Sequence, residues 1–410
     1  MVYIALEELG WRPYVQTWAG QGLAHAVPEC PQALRDHIYM LFDLHVDAGL
    51  AWLALHGRQF IPAVENNLTT SLTWMVQSLL LPARGFKYGR GVVPEDQHKA
   101  AGKVFAWAYC WALGGNLPHD LRPAFDAFAR EQLAPVCQYP GGNTVFDYCI
   151  DMTRGFPPDF KGWAERVPSF GYNKAAPFFE MLVPTVDTVR YSYMLELNLD
   201  VGRSVLLSGV TGVGKSVITV AALEGLRERK GVLPHTINFS AQTSAADTQF
   251  LIESKLEKKR KTRFGAPVGK RLVFFIDDVN MPARETYGAQ PPVELLRQFQ
   301  DQRGFYDRKK LWWKDIDDAT LVAACAPPGG GRQEMTPRFT RHFTMLCVPP
   351  PSEAATKTIL SAIFNGFLND FPTDFKSVSM PIVSASVEAY TRISEELLPT
   401  PAKSHYTFNL

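Results

Sequence analysis

The 410-residue sequence has little of what marks several broad protein classes. Its formal charge at pH 7 is only +1. No overall field therefore draws it to nucleic acid or to an anionic membrane, and any basic surface has to be local. The six cysteines, Cys30, Cys110, Cys137, Cys149, Cys325 and Cys347, include no CxxC pair and no histidine at zinc spacing, which points to free thiols in a reducing compartment. The nine histidines, His342 among them, show no ligand spacing either and are expected in packing or surface roles. The longest apolar run, "FAWAYCWALGG" from Phe105, is too short to cross a bilayer and reads as a buried helix. The start "VYIALEELGW" lacks the basic segment, apolar stretch and cleavage site of a signal peptide, so no secretion is expected. There is no low-complexity tract and no fixed-period repeat. What remains is an ordinary globular composition, 46% apolar and 20% charged, in a chain long enough for two or more domains.

Up to about residue 165, apolar residues recur at helical spacing in "CPQALRDHIYMLFDLHVDAGLAWLALHG", "NLTTSLTWMVQSLLL", "KAAGKVFAWAYCWALGG" and "HDLRPAFDAFAREQL". This predicts an all-helical first domain. Between "QYPGGNTVFDYC" and "FPPDFKGWAERVPSFGYNKAAPF", proline, glycine and aromatic residues crowd together and periodicity fades, as in a connecting region, so a boundary is expected near 165. Five short β-branched runs follow, "RSVLLSG", "HTINFSA", "RLVFFIDD", "ATLVAACA" and "HFTMLCV", separated by helix-length segments. That pattern predicts an α/β domain over 166–350 built on a five-stranded parallel sheet. After "VPPPSE" the periodicity is helical again over 351–410.

The segment "GVTGVGKS" meets the pattern G-x-x-x-x-G-K-[ST] through Gly209, Gly214, Lys215 and Ser216, with a strand run before it and a helical run after it. Such glycines let backbone N–H groups wrap phosphates, and the helix N-terminus adds positive potential. Lys215 is expected on the β- and γ-phosphates and Ser216 on a magnesium ion. A glycine-rich turn without a ligand is the alternative, but turn geometry does not demand Lys and Ser in that register. The following helix is expected to pack Val217, Val220 and Ala221 on one face and to stop at Gly231. The run "RLVFFIDDVN" carries Asp277 and Asp278 to the carboxyl edge of the sheet, where one acid holds magnesium through water and the other orients an attacking water. The basic run "SKLEKKRKTRFGAPVGKR" has few interleaved aromatics and is expected to be a solvated helix and loop. "LWWKDI", with Trp312 and Trp313, is expected to pack at an interface.

The stretches "VPTVDTVRYSYMLELNLDVGRSVLLSGVTGVGKS", "INFSAQTSA", "FFIDDVNMPARETYGAQPPVELLRQ" and "APPGGGRQEMTPRFTRHF" resemble the third AAA+ module of a dynein heavy chain, and "DDVNMP", "YGAQPP" and "PPGGGR" resemble its axonemal members. The helical first half is similar to the small lid portion of the second module. The resemblance implies an AAA+ P-loop core preceded by that lid and followed by a partial lid of its own, cut short at "SHYTFNL" before a nucleotide-touching arginine. It implies ATP or ADP with Mg2+ as cofactors, held by Pro184 and Thr185 near the adenine and by Gly209, Thr211, Gly212, Val213, Gly214, Lys215, Ser216 and Val217. Ser216 and Asp277 serve the metal, and Asp278 and Arg338 are the catalytic residues. Arg338 matches an arginine finger that serves a neighbouring module's nucleotide, with Arg341 as another candidate or a structural ion pair.

Asp278 stands where relatives with robust turnover carry glutamate, and Ala326 stands where they carry a polar sensor, so hydrolysis here is expected to be slow and regulatory. A structural module that holds its nucleotide permanently, and an unrelated P-loop remodelling ATPase, are the other readings. The implied partners are the neighbouring AAA+ modules, with microtubules and dynein intermediate and light chains reached through regions outside this chain. No nucleic acid and no membrane partner is expected, and the implied location is the axoneme of a cilium or flagellum.

Overall fold

A computed structural model describes residues 9–89, 91–175, 177 and 181–397. The expectations placed on Met1 and on the segment "SHYTFNL" therefore lie outside the described residues.

Four long helices build the first half: α1 Gln32–His56, α2 Glu65–Leu79, α3 Pro94–Gly114 and α4 Arg122–Leu133. The run from Phe105 lies within α3, where every residue from Ala100 to Gly114 except Lys103 is buried. A helix apolar on all sides has to be central, and α3 packs against both α1 and α2. Its indoles find acceptors or rings: Trp107 Nε1 donates to the Tyr148 carbonyl at 2.8 Å, and Trp111 meets Phe146 and Tyr191 edge-on. The more bilayer-like helix is α1, long and apolar enough to span by length and composition. Its buried side, including Leu34, Ile38, Phe42 and Leu50, faces the bundle core. Asp43 and Asp47 on the same helix pair with Arg12.

The first half is not wholly helical. Where connecting chain was expected, β1 Tyr148–Asp151 pairs antiparallel with β2 Asp159–Gly162. The expected five strands follow as β3 Ser204–Ser208, β4 Val232–Asn238, β7 Arg271–Asp277, β10 Ala319–Cys325 and β11 Phe343–Cys347, all parallel in the order β11-β3-β10-β7-β4. Helices α5 Val186–Asp200, α6 Lys215–Lys230, α7 Ala245–Glu253 and α8 Pro291–Gln302 pack around the sheet, and α9 Glu353–Leu368 with α10 Ser379–Glu396 form a pair after it.

Two expectations need correction. On α6 the buried face is Ile218, Thr219, Ala222, Leu223 and Leu226, whereas Val217 and Val220 are 54% and 41% exposed. Two apolar faces compete on this helix, and the first turn is aimed by the loop that precedes it. The stop at Gly231, with φ of 64°, is as expected. The basic run is not a helix: it forms β5 Glu257–Lys258 and β6 Arg263–Gly265, which join β8 Gly304–Tyr306 and β9 Trp313–Asp317 in a second sheet ordered β5-β6-β9-β8. Lys314 anchors this sheet. Its buried ammonium sits 2.7 Å from Asp307 and 3.0 Å from Glu253, and lies over the rings of Phe264 and Trp312. The expected helix failed because cross-strand pairing and this cation, rather than periodicity, organise the segment.

One apolar core runs from Trp11 through the helical bundle to Val348 in the α/β part. Polar struts cross the same junction. The Cys347 N–H donates to the Gly115 carbonyl at 2.7 Å, while Arg122 and the Tyr191 hydroxyl both donate to the Cys347 carbonyl at 2.6 Å. Arg203, buried, donates to Asn67 Oδ1 on α2 at 2.9 Å and to the carbonyls of Arg341 and Phe343.

Candidate nucleotide-binding site

Strand register decides what meets at the carboxyl edge of the main sheet. Ser208, the last residue of β3, lies level with Cys325 on β10, and Ala323 of β10 lies level with Ile276 on β7. The loop after β3, Ala326 after β10 and the acids Asp277 and Asp278 at the end of β7 therefore share one edge, with the Ala326 strand between the other two.

The loop conformation requires its glycines. Gly212 and Gly214 have φ of 86° and 83°, in the left-handed region that ordinary side chains avoid. At Gly209 a Cβ would approach the Val348 carbonyl oxygen to 2.6 Å and Val213 Cγ2 to 3.1 Å. Gly214 caps α6, so the unpaired N–H groups of the first turn open toward the loop. Lys215, the first residue of α6, folds back and donates to the carbonyls of Gly209 at 2.9 Å and Val210 at 2.8 Å. Burial pushes its ammonium pKa down; Asp278 and Asp277 pull the other way, and Arg332 adds to the depression. A desolvated cation satisfied only by backbone carbonyls is suited to exchange them for phosphoryl oxygens.

The magnesium set fits in the same way. The Ser216 side chain is partly buried, and no hydrogen bond of its hydroxyl occurs among the described residues. The Asp277 carboxylate accepts from the Asp278 N–H at 3.0 Å. One hydroxyl and one carboxylate suit an octahedral ion whose other ligands are phosphate oxygens and water. Asp278 has φ of 51°, a conformation that aspartate tolerates better than most residues.

Beside the loop lies a cavity of about 980 Å³ lined by Pro184, Thr185, Val186, Val210, Pro349 and Thr358. Thr185 also caps α5: its hydroxyl accepts from the Thr188 N–H at 3.2 Å, and the Thr188 hydroxyl accepts from the Thr185 N–H at 2.8 Å. Phe60, Pro118 and His119 of the helical bundle line the same cavity. The positions Thr211, Val213 and Val217 fall on the loop and the start of α6, with Val213 buried beneath the loop and Thr211 exposed.

Arg338 is not at this edge. It sits on the short helix Pro337–Thr340 just before β11, whose first residue Phe343 lies level with Ser204, the first residue of β3. The five residues of β3 separate it from the loop, roughly 16 Å along the strand. It is exposed, without a hydrogen bond or ion pair among the described residues, so it is free to face another surface. Arg341 is committed instead, 2.5 Å from Asp301, which also lies 2.9 Å from His342 Nε2.

Burial pushes His342 down to about 4 against the pull of Asp301, with Arg341, Arg203 and Arg297 adding to the depression. Because the folded pKa lies below the unfolded one, the unfolded chain takes up more protons in between. Stability is full above about 6.5 and falls as pH drops toward 4, by about 3 kcal/mol from this group. Thermal unfolding measured across that range should show a shallower acid slope for His342→Gln than for the parent; parallel curves would place the titration elsewhere.

Two residues escaped assignment from the sequence. Asn280 is buried and donates to the carbonyls of Ala326 at 2.8 Å and Gln333 at 3.2 Å, and Arg332 places Nη2 3.5 Å from Asp278 Oδ1. Both lie inside quoted motifs. The available signal was that the loop after β10 must return along the edge that carries the acids.

A five-stranded parallel sheet with a glycine loop, a buried lysine and paired acids at one edge defines a P-loop nucleotide-binding module of the AAA+ class. Residues 170–351 match the family model described as the P-loop containing dynein motor region, and residues 38–165 match the dynein heavy chain AAA lid domain. The chain belongs to the dynein heavy chain family. It is 48% identical over 413 residues to dynein axonemal heavy chain 6 of Homo sapiens, and 38% identical over 444 residues to the Dynein-1-beta heavy chain, flagellar inner arm I1 complex, of Chlamydomonas reinhardtii. It is 35% identical over 436 residues to dynein axonemal heavy chain 12 of Mus musculus. Each match takes in the whole of this chain but only 10% of the first two relatives and 14% of the third. The chain thus spans about a tenth of the length of the first of these relatives.

Proposed function

We propose that this chain is a regulatory ATP-binding module of an axonemal dynein heavy chain, one that binds Mg–ATP firmly and hydrolyses it slowly. Residues 1–165 are the lid of the preceding module, 166–350 the nucleotide-binding core and 351–410 lid of the same module. The observation that carries the reading is Lys215 bonded back onto the Gly209 and Val210 carbonyls, on the edge that also carries Asp277. Ser216 and Asp277 hold the magnesium ion, which neutralises phosphate charge when bound. Pro184 and Thr185 line the adenine side. Asp278 orients water, with a stem one methylene shorter than glutamate, and Ala326 offers a methyl where an amide would steady that water. Both features support slow turnover.

Arg338 serves a nucleotide on a neighbouring module, since its guanidinium is always charged and forks onto phosphoryl oxygens. The partners are the adjacent AAA+ modules, and the setting is the axoneme of a cilium or flagellum. There the whole heavy chain moves toward microtubule minus ends and contacts microtubules and accessory chains through regions outside this one. The test is equilibrium binding of ATP and ADP, with and without Mg2+, followed by steady-state phosphate release. Tight magnesium-dependent binding with slow release is expected; absence of binding, or brisk turnover, would overturn the reading. Nucleotide that never exchanges would favour a purely structural holder, for which Asp278 and Ala326 also argue.

A further inference from the structure

The loop after β10 brings one more cation to the nucleotide edge. Past Ala326 the chain turns through Gly329, Gly330 and Gly331, with φ of 118°, 57° and 89°. It closes on itself where the backbones of Gly329 and Arg332 exchange two hydrogen bonds of 3.0 Å. The next residue is fastened to the acid strand: the Gln333 N–H donates to the Asn280 carbonyl at 2.9 Å, and Asn280 Nδ2 donates to the Gln333 carbonyl at 3.2 Å. Asn280 also holds the Ala326 carbonyl, so the loop is tied at both ends to the residue two beyond Asp278.

These ties aim Arg332 at the acids. Its side chain is 22% exposed, its Nη2 is 3.5 Å from Asp278 Oδ1, and its Nε is buried without a partner. A guanidinium offers five N–H donors in a planar fork, and among the described residues a single long contact is made. The fork is matched to phosphoryl oxygens. Ala326, at the centre of the same edge, leaves no polar side chain there to register a terminal phosphate.

We propose that Arg332 is the residue that reads the terminal phosphate at this site. Without that phosphate the guanidinium holds the Asp278 carboxylate. With it, the guanidinium moves its donors to the γ-phosphoryl oxygens and releases Asp278 to face water. The inference rests on the nucleotide-site reading above, and it assigns to this chain's own loop a role that would otherwise fall to a sensor side chain on β10 or to a neighbouring module.

The experiment is a comparison of ATP and ADP affinities by calorimetry, with melting curves for each variant, in the parent chain, Arg332→Ala, Arg332→Lys, Asp278→Asn and Lys215→Ala. Arg332→Ala should lower the preference for ATP over ADP by about tenfold, with ADP affinity held within about twofold, as expected of a charge-assisted contact to the γ-phosphate alone. Arg332→Lys keeps the charge without the fork and should fall between. Asp278→Asn frees the guanidinium and should raise the ATP preference, whereas Lys215→Ala should weaken both nucleotides. If Arg332→Ala shifts only the melting temperature and leaves the ratio unchanged, Arg332 is a structural ion-pair partner and the proposal fails, with the cradle intact. If the folded parent chain binds neither nucleotide, the cradle reading fails instead.

Discussion

Lys215→Ala is expected to lower affinity for both ATP and ADP by on the order of a hundredfold, as loss of charge-assisted hydrogen bonds from a desolvated ammonium would. The lysine makes no salt bridge among the described residues; its donors go to the Gly209 and Val210 carbonyls. Alanine at the first position of α6 is a good helix former and removes a buried charge, so the fold should survive and the loss should appear in binding alone. The pH dependence supplies a second signature. Burial holds the Lys215 pKa below the usual lysine range, and only the ammonium form both donates and carries charge. Affinity of the parent chain should therefore fall as pH rises through that lowered value, and the variant should lose this slope. Calorimetric titration from neutral to alkaline pH measures both. Retained affinity, or an identical slope in the variant, would mean that phosphate is not held here.

The second large effect runs the other way. Asp278→Glu combined with Ala326→Asn should raise the rate of hydrolysis by about tenfold or more. Misplacing a catalytic group by about 1 Å costs roughly a hundredfold, and the longer stem recovers that distance. Against this stands the backbone: Asp278 is in the left-handed region, where glutamate is less at ease than aspartate by about 1 kcal/mol. The gain should exceed that cost, leaving a net increase. Ala326 is almost fully buried, so the asparagine has to displace neighbours, and the single substitutions should be measured beside the pair. Single-turnover phosphate release at saturating Mg–ATP is the readout. A rate unchanged in the folded pair would show that these two side chains do not limit hydrolysis.

Much of the fold was legible because buried parallel strands leave a plain trace. "SVLLS", "LVFFI" and "TLVAA" are runs that can be placed nowhere but between layers of helix, and α3 is apolar on every side for a similar reason. The loop after β3 was legible because its glycines take conformations that ordinary side chains avoid. The second sheet was not: β5 has two residues and β6 three, and β6 is held by pairing with β9, which arrives from far along the chain. The face of α6 was misjudged because Val217 and Val220 keep helical spacing as well as Ile218 and Ala222 do. Only the aim of the loop at Gly214 decides between them. Arg332 was unreadable for a related reason, since its approach to Asp278 depends on three left-handed glycines and on Asn280 fastening the loop.

The hydrogen bonds on Cys347 bear on how such chains can be rearranged. Gly115 and Arg122, from the helical bundle, grip the end of a central-sheet strand at the point where it enters the nucleotide cavity. A graft that transplants residues 166–350 alone into another heavy chain would strip that strand of its anchors and bare the apolar seam between bundle and sheet. A graft that keeps the helical bundle together with the core that follows it would retain those anchors.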